Sequence, residues 1–115
     1  MSTEPVHLEA KEGSRAGHRI LRLSGALTLH TLFPFQDAVR ADKAGTLIMD
    51  LTAVPYVDSV GIGALVGAYV SRQRDGRKLA LVGVSERVSA ALNISQLTKL
   101  FPTFPTVDAA EKSLP

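Results

Sequence analysis

The chain has 115 residues, of which 45% are hydrophobic and 21% are charged, with a formal net charge of +2 at pH 7. This length and composition fit one folded domain, and so small a charge argues against direct nucleic-acid binding, which usually requires a clustered basic surface. The absence of cysteine excludes disulfides, and the lack of a signal peptide or of a long apolar run predicts a cytoplasmic protein without a membrane span. We expect a short tail over residues 1–5 and a single domain over residues 6–115.

The first half of the chain alternates between extended and helical patterns. Residues 6–10 alternate weakly between apolar and polar and are predicted to form an edge strand, whereas residues 18–24 alternate clearly and predict a second strand. Apolar residues at spacings of three and four predict a helix over residues 28–42, with Thr31 capping its start. Residues 46–51 are almost wholly apolar, which indicates a strand buried on both faces.

The second half continues the alternation and contains the strongest helical pattern. The predicted elements are a short extended piece at 54–57, a helix at 59–74, a buried strand at 78–82, a helix at 85–94 capped by Ser85, a strand at 101–104 and a terminal helix at 107–114. Helices between strands predict an α/β fold, a mixed sheet of about four to five strands with flanking helices. The first two strands are expected to form an antiparallel hairpin.

The segment over residues 55–63 joins an extended piece directly to the strongest helix. Asp58 and Ser59 are both good helix-capping residues. Gly61, Gly63 and Gly67 lie within the helix, where each glycine costs about 0.5–1 kcal/mol relative to alanine, so the helix backbone is expected to lie close to the neighbouring sheet, to a partner protein or to both. A phosphate on Ser59 would add about −1.5 to −2 charges at a helix N-terminus that favours anions. By pattern alone, however, Asp-Ser before a helix is commonly only a cap.

Other candidate sites are weaker. His7, His18 and His30 lie in separate elements, so no metal site is predicted. Asp50 and Asp58 are not accompanied by a nucleophile and base, and the glycines do not match a phosphate-binding fingerprint, so neither catalysis nor a cofactor is expected. The chain is therefore predicted not to be an enzyme.

Two further groups of residues, a pair of phenylalanines and a basic cluster, are assigned from their positions in or next to the predicted helices. Phe33 and Phe35 flank Pro34, and we expect one ring in the core and the other exposed on a partner surface. A basic cluster near the end of the strongest helix is interpreted as a solvated helix end; it consists of Arg72, Arg74, Arg77 and Lys78.

Four stretches together resemble one family. LTAVPYVDSVGIGALV at residues 51–66 resembles the core motif of the STAS domain family, in particular of bacterial anti-sigma factor antagonists. LSGALT at 23–28 resembles the family's early motif, residues 78–88 resemble its fourth strand and third helix, and LNISQL at 92–97 resembles the stretch that follows. The likeness covers roughly residues 6–112.

The resemblance implies a regulatory role. In this family the serine after the motif's aspartate, here Ser59, is phosphorylated by an anti-sigma factor with serine kinase activity. The unphosphorylated protein binds that anti-sigma factor and releases a sigma factor, phosphorylation blocks the binding, and a serine phosphatase restores it. The implied protein has no cofactor or metal and does not contact nucleic acid directly.

Two departures from the family motif support a second interpretation. The early motif usually reads Gly-Glu-Leu-Asp, and here it lacks both acids because Ala26 and Thr28 occupy those positions; Val60 follows Ser59, where the family often has a small or hydroxyl residue. The alternative is a constitutive STAS interaction subunit of a larger complex, such as a lipid transporter, with Ser59 only a helix cap. We predict a partner-binding surface on the 27–32 loop and the start of the 59–74 helix, comprising Leu27, Thr28, Leu32, Asp58, Ser59, Val60, Gly61 and Gly63.

Overall fold

In the part of the chain that the structure describes, five strands lie side by side in chain order: β1 His7–Glu12, β2 His18–Ser24, β3 Thr46–Ala53, β4 Lys78–Val82 and β5 Thr103–Phe104. β1 pairs with β2 antiparallel, and the remaining neighbours pair in parallel, which confirms the mixed sheet and its opening hairpin. The computed structural model describes residues 6–94, 97 and 99–114. The predicted tail over residues 1–5, like residues 95–96 of the family-like stretch at 92–97, lies outside the described residues.

Helices cover both faces of this sheet. They are α1 Leu32–Ala41, α2 Ser59–Arg74, α3 Glu86–Ile94 and α4 Val107–Ser113. Alternate residues of a strand point to opposite faces, and β3 shows this directly: Leu47 and Met49 join the larger core with α1, α2 and α3, whereas Ile48 joins the smaller core with Ala110 of α4. The sheet is therefore the middle of three layers, as the predicted α/β fold requires.

The start of α1 differs from its predicted position. A helix from residue 28 was expected, but residues 28–31 form a turn and the helix begins at Leu32. The hydroxyl of Thr31 accepts the Thr28 backbone N–H at 2.9 Å and donates to the Ala26 carbonyl at 2.8 Å, so it holds this turn. Thr31 precedes the helix but makes no side-chain capping bond, because its hydroxyl is committed upstream.

Two extended segments also depart from expectation. β1 continues to Glu12, beyond the predicted end at residue 10, and is largely exposed. The predicted extended piece at 54–57 is not a full strand, because only Val57 pairs with a neighbouring segment, through an isolated parallel bridge to Leu27. That bridge positions the loop immediately before α2.

Arg72 corrects the prediction of a solvated basic helix end. Its side chain is buried, and its guanidinium donates to the Lys78 carbonyl at 3.0 Å, the Asp42 carbonyl at 3.2 Å and the Ala44 carbonyl. Burial lowers the pKa of Arg72, whereas the nearby Asp42 carboxylate raises it. Arg72 therefore ties the ends of α1 and α2 to the amino end of β4, while Arg74 and Lys78 are exposed as predicted.

The C-terminal helix α4 is fixed to the β1–β2 turn through Glu111. The Glu111 carboxylate accepts the Ser14 N–H at 2.7 Å and the Ser14 hydroxyl at 2.8 Å, and the buried His18 Nδ1 lies 3.4 Å from it. Arg15 adds a bond to the Glu111 carbonyl at 2.9 Å. None of the helices in the described part of the chain combines the length and apolarity needed to cross a membrane.

Candidate functional site

Asp58 organises the start of α2 at the carboxyl edge of the parallel strands. It is the N-cap residue, with an extended backbone, and its Oδ1 atom accepts the Gly61 N–H at 2.8 Å. Its Oδ2 atom accepts the Leu29 N–H at 3.1 Å. An N-cap aspartate usually binds only the first turn of its own helix. The Asp58 carboxylate also binds the turn that precedes α1, and it therefore links the two segments.

Ser59 is the first residue of α2 and not its cap. The capping prediction is therefore confirmed for Asp58 and wrong for Ser59. The Ser59 side chain is exposed, and its hydroxyl makes no hydrogen bond to any residue that the structure describes. Because Asp58 and not Ser59 makes the cap bond, a change at the Ser59 hydroxyl would leave that bond in place.

The position of Gly61 explains why the first turn of this helix contains glycine. A Cβ atom at Gly61 would lie 2.2 Å from the Leu27 carbonyl oxygen, so the helix passes directly over the backbone of the neighbouring loop. That loop is held by the Leu27 N–H, which donates to the Tyr56 carbonyl at 3.2 Å, and by the Asp58 N–H, which donates to the Leu27 carbonyl at 3.3 Å.

The predicted close approach is thus confirmed at Gly61, whereas at the next two glycines no neighbour within the described chain accounts for it. Cβ atoms at Gly63 and Gly67 would meet nothing within 4 Å. These two positions therefore leave open space beside α2, and no packing demand of the described residues requires glycine there.

Some residues of the predicted partner surface are buried, and others are exposed or half-buried. Leu27 and Thr28 are 0% and 1% exposed, and Gly61 is buried, which corrects the expectation that these three contact a partner directly. They lie beneath the surface and support it. Leu32, Asp58 and Val60 are half-buried, and Ser59 and Gly63 are exposed.

Two exposed apolar side chains lie near these residues in the chain, one in the turn before α1 and one in its first turn. Leu29 is 56% exposed and Phe33 is 69% exposed, whereas Phe35 is fully buried, as expected for one ring of the pair. The sequence did not single out Leu29, because its spacing from Leu32 places it on the apolar stripe of a helix that starts at residue 28. Its exposure results from the later start of α1. We call the exposed and half-buried set the Ser59 face; it comprises Leu29, Leu32, Phe33, Asp58, Ser59, Val60 and Gly63.

The other candidate groups are held locally. The Asp50 Oδ1 atom accepts the N–H and the hydroxyl of Thr52, at 3.0 and 2.6 Å. Among the described residues, no hydrogen bond joins Asp50 to Asp58. Within residues 6–94, 97 and 99–114, no three histidine, cysteine or acidic side chains gather as a metal site would require. The chemistry that the Ser59 face offers is therefore a free hydroxyl beside apolar surface.

Comparison with known proteins gives a consistent family signal. The model of the STAS domain matches residues 8–110. An anti-sigma-B factor antagonist of Listeria monocytogenes is 30% identical over 98 residues, which cover 83% of this chain and 85% of that protein. The name of this relative describes an antagonist of another factor and not an enzyme, in agreement with the expectation of a non-enzymatic protein.

Solved structures share the fold. An anti-sigma factor antagonist from Mycobacterium paratuberculosis superposes with a TM-score of 0.82 at 23% identity, covering 94% of this chain and 92% of that one. The Bacillus cell fate determinant SpoIIAA in its phosphorylated form superposes with a TM-score of 0.69 at 17% identity, covering 95% of this chain and 99% of that one.

Proposed function

The chain belongs to the STAS domain family, and on that basis we propose that it is an anti-sigma factor antagonist whose binding is switched off by phosphorylation of Ser59. In the unphosphorylated state it binds an anti-sigma factor with serine kinase activity and thereby releases a sigma factor in the cytoplasm. A serine phosphatase reverses the modification. The observation that carries the proposal is the exposed Ser59 hydroxyl at the first position of α2.

The position of Ser59 suits a switch that leaves the fold intact. A phosphate at a helix N-terminus interacts favourably with the helix dipole and with backbone N–H groups. Asp58 already caps the helix through Gly61, so the phosphate displaces no existing bond of Ser59. The modification would instead place about two negative charges, beside the Asp58 carboxylate, on a surface that is otherwise apolar.

The apolar character of the Ser59 face supports a protein partner. Leu29 and Phe33 are more than half exposed; the Leu29 backbone is bonded to Asp58, and Phe33 follows four residues later in the first turn of α1. Exposed apolar side chains that lie together mark interaction sites more often than single ones do. Phosphorylation would require an apolar partner surface to desolvate a charged group, which is strongly unfavourable.

The loss of the family's acidic residues fits this surface. Thr28 is buried, and its hydroxyl accepts the His30 N–H at 3.2 Å, so its side chain shapes the turn below the Ser59 face. Partner recognition by this chain then depends on apolar contact around Ser59 and not on an acidic group at position 26 or 28.

The decisive experiment is phosphorylation by candidate anti-sigma factor kinases. Incubation with the cognate kinase and ATP is expected to add one phosphate by mass spectrometry, and Ser59→Ala should abolish it. Ser113→Ala, at an exposed serine of α4 on the opposite side of the sheet from α2, is the matched control and should accept the phosphate normally. Phosphate elsewhere, or none with a kinase that binds the protein tightly, would favour the constitutive interaction subunit instead.

A binding measurement separates the charge effect from folding. Ser59→Asp should keep the circular dichroism spectrum and weaken the complex with the anti-sigma factor by about tenfold or more, the equivalent of one desolvated charge at an interface. An equally tight complex would contradict the electrostatic basis of the switch.

A further inference from the structure

A half-open groove of about 570 Å³ runs between α1 and α2. Its lining is mixed: Gln36 and Ser71 contribute polar groups, and the apolar part consists of Leu32, Phe35 and Val39 from α1 and Val60, Ala64 and Ala68 from α2. Gly63 and Gly67 also line it, and since Cβ atoms there would meet nothing within 4 Å, their missing side chains are what keep the groove open. This volume lies within the range of about 300–1,000 Å³ that small-molecule sites occupy.

One end of the groove is positively charged. Arg72 binds the Asp42 carbonyl, so the carboxyl ends of α1 and α2 meet there. The cations lining this end are Arg40, Lys43, Arg72 and Arg77, and the carboxylates are Asp42 and Asp75. The two helix ends contribute about half a negative charge each, which leaves the end net positive.

The two carboxylates at this end are already occupied. Asp42 pairs with Arg19 at 3.0 Å and with Arg72 at 3.9 Å, and Asp75 pairs with Arg77 at 3.6 Å. Lys43 is exposed and forms no ion pair within the described part of the chain, and Arg40 has only an exposed pair with Asp37 at 3.8 Å. Lys43 and Arg40 are therefore available to a negative group that enters the groove.

We propose that this groove binds a single-chain amphipathic anion, a long-chain fatty acid, with its acyl chain between α1 and α2 and its carboxylate at Lys43 and Arg40. From Val60 to Ser71 the lining helix rises about 16 Å, a length suited to an extended acyl chain. A peptide helix, about 10–12 Å across over that length, needs roughly two to three times the available volume. The proposal does not depend on the anti-sigma role or on phosphorylation.

Calorimetric titration of the full chain with monomeric tetradecanoate tests the proposal. Saturable binding of one molecule is expected, and Gly67→Leu, which fills the groove, should weaken it by about tenfold or more. Ala90→Leu adds a leucine at an exposed position of α3, outside the groove, and should leave the affinity unchanged. Thermal unfolding of Gly67→Leu verifies that the variant is folded, and Gly67→Ala provides a smaller filling residue should leucine disrupt the helix.

The charged end is tested with a matched pair of ligands. The double variant Arg40→Gln and Lys43→Gln should weaken tetradecanoate binding by about fivefold or more and leave tetradecanol binding unchanged, whereas Lys11→Gln on the exposed β1 strand should change neither. No saturable binding, equal affinity of a folded groove-filled variant, or equal effects of the double variant on acid and alcohol would overturn the proposal. Because none of these measurements uses the kinase, their failure leaves the proposed switch at Ser59 standing.

Discussion

The Leu29 backbone N–H donates to the Asp58 Oδ2 atom at 3.1 Å, and this bond joins two segments that are 29 positions apart in the chain. The other oxygen of the same carboxylate caps α2 through Gly61. The turn that carries Leu29 and the helix that carries Ser59 are thus held by one side chain. A change at Asp58 should therefore affect both the stability of the protein and the shape of the Ser59 face.

Replacing Asp58 by alanine should destabilise the protein by about 2–3 kcal/mol, since it removes a helix cap and a charge-assisted hydrogen bond together. Urea denaturation followed by circular dichroism measures the loss. Thr106→Ala, which removes only the α4 cap bond to Ala109, is the control and should cost about 1 kcal/mol. Equal losses in the two variants would contradict the double role of Asp58.

Alanine substitutions at two glycines of α2 should have opposite effects on stability. Gly61→Ala places a Cβ atom against the Leu27 carbonyl and should destabilise the protein by about 1–3 kcal/mol. Gly63→Ala enters open space and should stabilise it by about 0.5–1 kcal/mol through helix propensity. The same denaturation experiment measures both, and a stabilised Gly61→Ala protein would show that the close approach to Leu27 is not maintained in solution.

Truncation of the exposed apolar side chains should weaken partner binding without unfolding the protein. Leu29→Ala and Phe33→Ala are each expected to raise the dissociation constant for the anti-sigma factor by about tenfold, as expected for central apolar contacts. Ile94→Ala removes a side chain that is 85% exposed on α3 and is the matched control. Unchanged affinity in both test variants, measured by surface plasmon resonance, would place the partner elsewhere.

Arg72 should be far less replaceable than its neighbour Arg74. Arg72→Lys removes the planar fork that reaches three carbonyls and should destabilise the protein by about 2–4 kcal/mol, because buried acceptors lose their donors. Arg74→Lys, at an exposed position, should stay within about 0.5 kcal/mol of the parent. Thermal unfolding of the two variants provides the comparison, and similar midpoints would rule out the bracing role of Arg72.

Glu111 should make the protein sensitive to acid. Burial raises the pKa of this carboxyl, but hydrogen bonds from Ser14, Arg15 and His18 outweigh burial and hold the pKa below its usual value. The resulting stabilisation is present above the unfolded pKa of about 4.3 and is lost as the pH falls through the lower folded value.

Glu111→Gln should therefore reduce the loss of stability between about pH 5 and 3, since the variant has no carboxyl to protonate there. Denaturation series at several pH values measure this slope. Glu9→Gln removes an exposed carboxyl on β1 and should leave the slope unchanged. A Glu111→Gln slope identical to that of the parent would show that Glu111 is not responsible for acid sensitivity.

Local pattern predicted the elements well, because most of them obey a simple periodicity. The continuous apolar run at 46–51 became the central strand β3, and the stripe at 59–74 became α2 with the same bounds. The error at the start of α1 arose because Thr28 and Thr31 bind the backbone of their own turn, and such local bonds compete with a helix without changing the apolar spacing.

The sequence predicted where the site lies in the chain, but not which of its residues are buried and which are exposed. The sequence identified residues 27–32 and 58–63, but it could not show that α2 crosses the Leu27 backbone and buries Leu27 and Thr28 beneath the surface. Arg72 was misplaced for a related reason, since two of its three acceptors, the Asp42 and Ala44 carbonyls, are 30 and 28 positions away in the chain. Contacts of this kind form only in the packed fold, and the spacing of apolar and polar residues along the chain does not predict them.

The β1–β2 turn, fixed to α4 through Glu111, offers a practical route to the binding measurements. β2 begins after this turn, whereas α2 begins beyond the opposite ends of the parallel strands, so β2 alone separates the two edges by about 20 Å. Ala16 is exposed in the turn, and the chain contains no cysteine. Ala16→Cys would therefore provide a single thiol for a fluorophore or a sensor surface, with the Ser59 face directed away from the attachment point.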